Sequence, residues 1–321
     1  MKATLIRFVA LGLLLGSTLT AQQLRLGVAR ANYVVIARQV AVQPLGDHVL
    51  HRFEVIDRLK GEPQDTFSIA VPKRVADAPS PGFETSNQLL CLRPTRRNDV
   101  PERFLPIYRL TGYQGDRFVV DDSEESQGLV SLVRALLDSE SGVKPADIGD
   151  RVVDILLGGE GQARLEASET LRGRVVLRDE IPDVRADQLL LLAVGSSEDS
   201  NLKRSVARLC VEANVDNALP ALCAAVHQND DEEFATTVGR LAQFKMGEEA
   251  ASAFDDLLER VRGPARDRIL IAVGATRTQG ALDRLRREWE RSGRREGLVK
   301  ALRAHGSEDA IRIIESGGER R

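Results

Sequence analysis

Aromatic residues are scarce in this chain of 321 residues, where they make up 4% of the sequence with a single tryptophan. An excess of either charge is lacking too, because 45 basic residues nearly balance 48 acidic ones and leave a net charge of −3. A near-neutral chain has no general electrostatic attraction to nucleic acid, which argues against that class of partner. Leucine, alanine, arginine and glutamate abound instead, and they favour helices packed through aliphatic side chains.

The motifs of common enzymes are also missing. The sequence contains no nucleophile elbow, no glycine-rich phosphate loop and no zinc-type spacing among its three cysteines. His48 and His51 are the only close pair of histidines, and residues three apart on a strand point to opposite faces, which keeps them from sharing a metal. Acidic pairs are too numerous for a catalytic dyad to be singled out. We therefore predict no catalytic site, no cofactor and no metal site.

The first 21 residues have the layout of a secretory signal peptide. Lys2 and Arg7 precede an apolar run at residues 8–15, and small residues follow up to Ala21. The run falls short of the ~20 residues that a membrane-spanning helix needs, which favours a cleaved signal over an uncleaved anchor. We expect cleavage after Ala21, a mature chain that begins near Gln22, and a periplasmic or secreted location, which is an oxidising compartment.

Residues 32–121 alternate with a period of two, which is typical of β-strands. Six short segments are predicted as strands: residues 33–42, 48–59, 66–71, 88–92, 108–110 and 117–120. Together with the proline-rich loop at residues 72–81, they favour a small all-β barrel over residues 22–122.

Four parts of this region are similar in order and spacing to the OB-type barrel of netrin-like domains and tissue inhibitors of metalloproteinases: residues 31–38, 53–61, 87–90 and 115–118. The inhibitors of that family chelate the protease zinc through an N-terminal cysteine, and disulfides staple their barrels. This chain would begin with Gln22 or Gln23, and it has one cysteine in the region, Cys91. The resemblance therefore implies an OB-like fold and argues against that inhibitory mechanism.

A boundary between two domains is predicted near Gly142 and Pro145. A helix capped by Ser123 is expected just before it, so residues 123–144 form a helix and linker. A chain of this length is long for one core and suits two domains. Helical periodicity continues beyond the linker, and we assign residues 145–321 to an α-helical domain.

This second domain contains a repeat over residues 206–314, in which one pattern recurs four times at steps of 32, about 32 and 29 residues. Aligned positions carry the same kind of side chain: Val206, Val238, Leu270 and Val299; Leu209, Leu241, Val273 and Leu302; Ala218, Ala250, Ala281 and Ala310. Such a period indicates helix-turn-helix units that bury their faces by stacking on their neighbours. N-caps are expected at Asp216, Thr278 and Ser307.

Two stretches of the repeat, residues 266–274 and 295–302, resemble HEAT repeats, in particular the short type found in phycobilin-lyase-like proteins. The resemblance implies a right-handed α-solenoid that binds other proteins, and it carries no catalytic residue of a lyase onto this chain. The sequence thus predicts a two-domain protein, with a small all-β OB-like barrel followed by an α-solenoid of HEAT-like repeats.

Charge is distributed unevenly along the repeat, since residues 212–259 carry a balance of −9 and residues 260–303 one of +8. On the second helix of the third repeat, three residues are expected to be buried: Leu282, Leu285 and Trp289. This leaves Arg284, Arg287 and Arg291 in an exposed row. The row is either a binding ridge for an acidic protein or another anion, or one side of an internal ladder of ion pairs. The acidic side of that ladder would be Asp255, Asp256 and Glu259.

Cys210 and Cys223 lie on the two helices of one repeat, about equally far from the turn near Asn217. Two outcomes stay open for them. Antiparallel packing in an oxidising compartment would bridge them, whereas helices that hold the Cα atoms too far apart would leave two reduced core residues. Cys91 is expected to be free.

From the sequence we predict a secreted or periplasmic, non-enzymatic scaffold that binds a protein partner, acidic in character, through the helical domain. Nucleic acid is not an expected partner, and no membrane span is expected after signal cleavage. The runner-up is an accessory regulator or inhibitor of a secreted hydrolase that acts through the OB-like barrel, and an enzyme of unrecognised type comes third. The oligomeric state stays open.

Overall fold

The computed structural model describes residues 22–72, 86–95, 105–111, 117–195 and 199–316. In these ranges an N-terminal sheet is followed by a helical region, and the chain divides into two compact units, Met1–Ile181 and Pro182–Arg321. The predicted signal peptide, residues 1–21, lies outside the described residues. No helix of the described ranges is long and apolar enough to span a bilayer.

Within the described ranges, the sheet of the first unit has six strands: β1 (Tyr33–Leu45), β2 (His48–Lys60), β3 (Thr66–Pro72), β4 (Asn87–Pro94), β5 (Ile107–Leu110) and β6 (Arg117–Val120). They confirm the six predicted segments. Their order is β1-β2-β3-β5-β4-β6, and β1 also pairs with β4, so five of the strands close a ring. All pairs are antiparallel except β3 with β5.

The interior of the ring is apolar because alternate residues of the strands point inward. Eight buried residues form this core: Val35, Ala37, Phe53, Phe67, Ile69, Leu90, Leu92 and Tyr108. Phe53 and Phe67 stack with ring centroids 5.4 Å apart, and the Tyr108 ring lies 5.3 Å from that of Phe67. Burying these rings fixes the strand register, since a slip by one residue would turn them to the opposite face.

Five helices belong to the first unit within the described residues: α1 (Gln22–Arg30), α2 (Glu124–Asp138), α3 (Pro145–Gly158), α4 (Gly161–Gly173) and α5 (Val175–Arg178). The Ser123 side chain caps α2 as predicted, accepting a hydrogen bond from the Ser126 amide. Residues 22–30 form a helix rather than part of an all-β domain, because Leu24 and Val28 lie one turn apart and bury the same face.

Helix α4 is covered by α1, α2, α3 and α5, so that even its polar residues Glu166, Ser168 and Thr170 are buried. Its first turn is capped from α2, because the Glu125 carboxylate accepts a hydrogen bond of 2.6 Å from the Gln162 amide. Since α2 packs against α3 and α4, the compact unit continues past residues 142–145 to Ile181. Independent folding of fragments on the two sides of residue 145 stays a prediction.

The second unit contains, among the described residues, nine α-helices and one 3-10 helix: α6 (Asp183–Val194), α7 (Ser200–Glu212), α8 (Ala218–Ala225), α9 (Glu232–Met246), the 3-10 helix Gly247–Phe254, α10 (Asp255–Arg260), α11 (Pro264–Ala275), α12 (Gln279–Ser292), α13 (Glu296–His305) and α14 (Glu308–Ser316). Helices α7, α9, α11 and α13 are the first helices of the four repeats, and every aligned apolar position of the three series is buried. The second element of the second repeat is split into the 3-10 helix and α10.

Two glycines let the first helices pack closely. A Cβ atom at Gly239 of α9 would collide with the carbonyl oxygen of Ala272 in α11, and one at Gly274 of α11 would collide with that of Ala301 in α13. Side chains at either position would push neighbouring helices apart, so the close spacing of α9, α11 and α13 depends on both glycines.

Contacts recur along the turns between paired helices. Three of them join one turn to the preceding turn: Lys245 with Asn214, Gln279 with Glu248, and His305 with Thr278. Thr278 and Ser307 cap α12 and α14 as predicted. The expected cap at Asp216 is wrong: Asn217 takes that place with φ of 56° and without a side-chain hydrogen bond, because its left-handed backbone turns the chain into α8.

Candidate functional site

The most distinctive surface of the second unit is a groove between α10 and α12 that also reaches the start of α11. Its cavity has a volume of about 610 Å³, and five arginines outnumber the three acids that line it. The lining residues are Asp255, Leu258, Glu259, Arg262, Arg266, Leu270, Arg284, Arg287, Glu288 and Arg291. We call this cavity the arginine groove. It contains all three arginines of the predicted row.

Arg284 is bound within the protein. Its Nε and Nη2 atoms donate to Asp255 Oδ1 and Oδ2 over 2.7 and 2.6 Å, a two-point contact between α12 and α10. Nη1 of Arg284 also donates to the carbonyl oxygen of Gly280. This ion pair agrees with the internal ladder, one of the two interpretations of the row. Arg284 is therefore bound to a carboxylate of the chain itself.

The floor of the groove holds a second internal pair. Arg266 Nη2 lies 3.1 Å from Glu288 Oε2, and both side chains are only 11% exposed. Glu288 also lies near the guanidinium groups of Arg291, at 3.4 Å, and Arg295, at 3.7 Å. Several cations therefore compensate the charge of this buried carboxylate, which is what a carboxylate needs to remain inside a protein.

The burial of Glu288 corrects one detail of the prediction for α12, namely which of its residues are buried. Leu282 and Leu285 are buried as predicted, but Trp289 is only half-buried, and Glu288 takes the inward position. Glu288 can lie there because Arg266 reaches it from α11. A sequence signal for both was present, since Arg266 and Glu288 occupy helical positions in register with the buried Leu270 and Leu285.

The remaining basic side chains lie at the mouth of the groove. Arg287 and Arg291 are exposed, and Arg287 has no ion-pair partner within the part of the chain that the structure describes. Arg262 is exposed too, and its Nη1 donates to the carbonyl oxygens of Leu258 and Val261 at the end of α10. Asp256 does not join the ladder, because it pairs with Arg260 along its own helix. The mouth therefore carries net positive charge beside the half-buried Leu258.

The cysteines are free thiols in the structure, and Cys91, Cys210 and Cys223 are all buried. Burial raises the pKa of the Cys210 and Cys223 thiols to about 12. Whether the protein bridges Cys210 with Cys223 or keeps both thiols reduced, the two outcomes open from the sequence, is a question for mass spectrometry. His51 Nδ1 lies 2.8 Å from Gln39 Oε1, and burial, followed by the charge of Arg117, lowers its pKa.

Comparisons with protein-family models, with curated proteins and with solved structures found no match to this chain. The resemblances to netrin-like barrels and HEAT repeats therefore stay expectations from the sequence. The arginine groove is the surface whose geometry points to a function. It offers the exposed guanidinium groups of Arg287 and Arg291 on walls that the Arg266–Glu288 and Arg284–Asp255 pairs hold together.

Proposed function

We propose that this protein is a secreted or periplasmic scaffold without catalytic activity, and that it binds an acidic protein partner in the arginine groove. In this proposal the ring of strands is an OB-like barrel and the second unit is a HEAT-like α-solenoid. The single observation that carries the binding site is the exposed pair Arg287 and Arg291 at the mouth of the groove. The signal-like first 21 residues support the location.

The arginines of the groove differ in their contacts, and this difference supports the assignment. Arg266 and Arg284 hold the walls together through Glu288 and Asp255, so they are not free to bind a partner. Arg287 and Arg291 project from a helix that is fixed by those pairs, which reduces the entropy lost when a ligand binds. A guanidinium can take a carboxylate through two parallel hydrogen bonds, a strong and directional contact.

The stacking of the second unit supports the solenoid interpretation. Buried positions recur in register through four helix pairs, and contacts between successive turns recur with them. Such arrays present extended surfaces to partners. Because the groove carries positive charge, binding should weaken as salt rises.

The test compares two charge reversals on the same helical region. The full chain is used as bait in the secreted or periplasmic fraction of its source organism, and a recovered partner is identified by mass spectrometry and then titrated by calorimetry. The variant R287E/R291E should bind that partner more than about tenfold more weakly. The matched control R286E/R294E changes the charge equally at exposed arginines that do not line the groove, and it should retain most of the affinity.

Melting temperatures separate binding from folding. The control R286E/R294E should melt within about 2 °C of the parent chain, because both of its side chains are exposed. R287E/R291E should melt at most about 4 °C lower, because a glutamate at position 291 faces the Glu288 carboxylate that Arg291 helps to compensate. Equal affinity of R287E/R291E and the parent chain would contradict the groove as the binding site. A large loss of melting temperature in R287E/R291E alone would instead show that these arginines support the fold.

A further inference from the structure

The turns that follow the first helices of the four repeats share a backbone feature. Each contains a residue with a positive φ: Asn214 (55°), Gly247 (59°), Arg277 (55°) and Gly306 (71°), and the first turn has a second one, Asn217 (56°). Glycine and asparagine are the residues that adopt positive φ most easily, since other side chains crowd the backbone there. Three of the four turns follow that preference. The third turn has an arginine where glycine would be less strained.

No contact of the Arg277 side chain within the described residues shows why an arginine at this turn would stabilise the fold. Its amide donates to the carbonyl oxygen of Gly274, as any residue could, and its exposed guanidinium has no ion-pair or hydrogen-bond partner in the described part of the chain. Residues held in strained backbone regions cluster at functional sites, where the side chain serves a purpose that offsets the strain. The unusual residue at this turn therefore directs attention to its surroundings.

Arg240 is a second guanidinium beside Arg277. The close approach of α9 to α11, where Gly239 faces Ala272 and Ala275, brings Arg240 next to the turn that follows Ala275 and contains Arg277. Partial burial, followed by the charge of Arg277, lowers the pKa of Arg240. Arg240 also lacks an ion pair among the described residues. Two like charges thus interact, and neither has an ion pair among the described residues, which is unfavourable until an anion binds.

An exposed aromatic ring completes this surface. Phe244 lies one helical turn after Arg240 on α9 and is 72% exposed, a large fraction for a phenylalanine in a chain that has few aromatics. Lys245 Nζ lies 5.9 Å from the centre of the Phe244 ring. We call Arg240, Phe244, Lys245 and Arg277 the turn patch. None of them lines the arginine groove.

We propose that the turn patch is a second binding surface, and that its ligand is an acidic protein segment with an aromatic side chain. Carboxylates of the segment bind Arg240 and Arg277, and its aromatic side chain packs on Phe244. A nucleic acid fits less well, because Glu248 and Glu249 are exposed in the 3-10 helix that begins two residues after Lys245, where a phosphate at every nucleotide would meet them. A peptide can present its carboxylates at Arg240 and Arg277 alone. The proposal does not depend on what the arginine groove binds.

The experiment uses the full chain and three fluorescein-labelled peptides, with binding followed by fluorescence anisotropy. The first peptide has glutamates on both sides of a tryptophan, the second replaces the tryptophan by alanine, and the third replaces the glutamates by glutamines. The variants are R277G and F244A, with R286Q as a control at an exposed arginine outside both surfaces and R287Q as a control in the groove.

The first peptide should bind the parent chain best, and R277G should weaken that binding about tenfold, the loss expected for a charged hydrogen bond. R277G should also raise the unfolding temperature of the second unit by about 2–4 °C, because glycine relieves the strained backbone. A more stable protein that binds less well cannot be explained by damage to the fold. F244A should reduce the preference for the first peptide over the second.

Several results would overturn the proposal. They are the absence of binding by the parent chain, equal binding by R277G, or a loss that appears only in R287Q and so places the peptide in the groove. Tighter binding of a single-stranded oligonucleotide than of the first peptide, abolished in R277G, would assign the patch to nucleic acid instead.

Discussion

Glu166 offers a sharp test of the packing in the first unit. Its side chain is fully buried in α4, where Oε1 accepts a hydrogen bond of 3.0 Å from Gln162 Nε2 and Oε2 has no hydrogen-bond partner within the described residues. Burial, opposed by the Gln162 hydrogen bond and reinforced by the charge of Glu169, raises the pKa of Glu166 to about 8 from an ordinary value of 4.5. The folded protein therefore holds this carboxyl in its neutral form at pH 7.

The sign of the effect follows from linkage. Because the folded pKa lies above the unfolded one, the contribution of Glu166 to stability is fully present below pH 4.5 and is lost as the pH rises towards 8. Each pH unit within that window costs about 1.4 kcal/mol, so the loss at pH 7 is about 3 kcal/mol. The E166Q variant has no carboxyl to ionise. Its free energy of unfolding should match the parent chain at pH 4 and exceed it by about 3 kcal/mol at pH 7.

Urea unfolding at pH 4, 7 and 8.5, followed by far-ultraviolet circular dichroism, measures this difference. Trp289 is the single tryptophan and lies in the second unit, so its fluorescence provides an internal control that should not change. E169Q gives a contrast on the same helix, because Glu169 is buried but pairs with Arg172 at 2.8 Å, and losing that pair should destabilise the protein at pH 7. The loss is partly offset, because E169Q also removes a charge that raises the pKa of Glu166. A difference between E166Q and the parent chain that does not vary with pH would refute the neutral, buried carboxyl.

Further predictions concern packing, capping and thiols. G239A and G274A should each lower the free energy of unfolding of the second unit by about 2–3 kcal/mol, because the added methyl group meets a backbone carbonyl. Trp289 fluorescence in urea measures this change. An unchanged urea midpoint of unfolding would rule out the close helix spacing. S123A should cost about 1 kcal/mol in the unfolding of the first unit, since the α2 amide of Ser126 loses its cap, and S141A offers a control outside the cap. Cys210 and Cys223 should react slowly with iodoacetamide at pH 8 and quickly in urea, as their thiols are buried and have a pKa of about 12; a non-reduced mass that lacks two hydrogens would show the bridge instead.

Features set by a local period were predictable from the sequence. Val238 and Leu270 are buried because they recur at the repeat length, and Phe53 is buried because it alternates along β2. Helix α1 could not be predicted from the sequence, because nine residues are too few for a reliable helical period. Its buried residues Leu24 and Val28 lie only one turn apart.

The candidate site shows the same limit. Helical geometry predicted the exposed row of arginines. It did not predict which of these arginines has an ion-pair partner within the protein. Arg284 meets Asp255 29 residues away, and Arg266 meets Glu288 22 residues away, so both pairs depend on how separate helices pack. The helical period places Glu288 on the buried side of its helix, in register with Leu285, but it does not show that Arg266 compensates its charge there. Spacing within one helix could not decide between the binding ridge and the internal ladder.

Cross-linking with a carbodiimide tests the binding role of the groove most directly, because it joins a lysine to a carboxylate only when the two are in contact. In the complex of the Arg287→Lys variant with the partner, we predict an amide between position 287 and an aspartate or glutamate of the partner, located by mass spectrometry. The Arg286→Lys variant places the lysine one residue away, outside the groove, and should give little cross-linked product with the partner. Equal cross-linking by both variants, or by neither while the complex is intact, would contradict an acidic partner bound in the arginine groove.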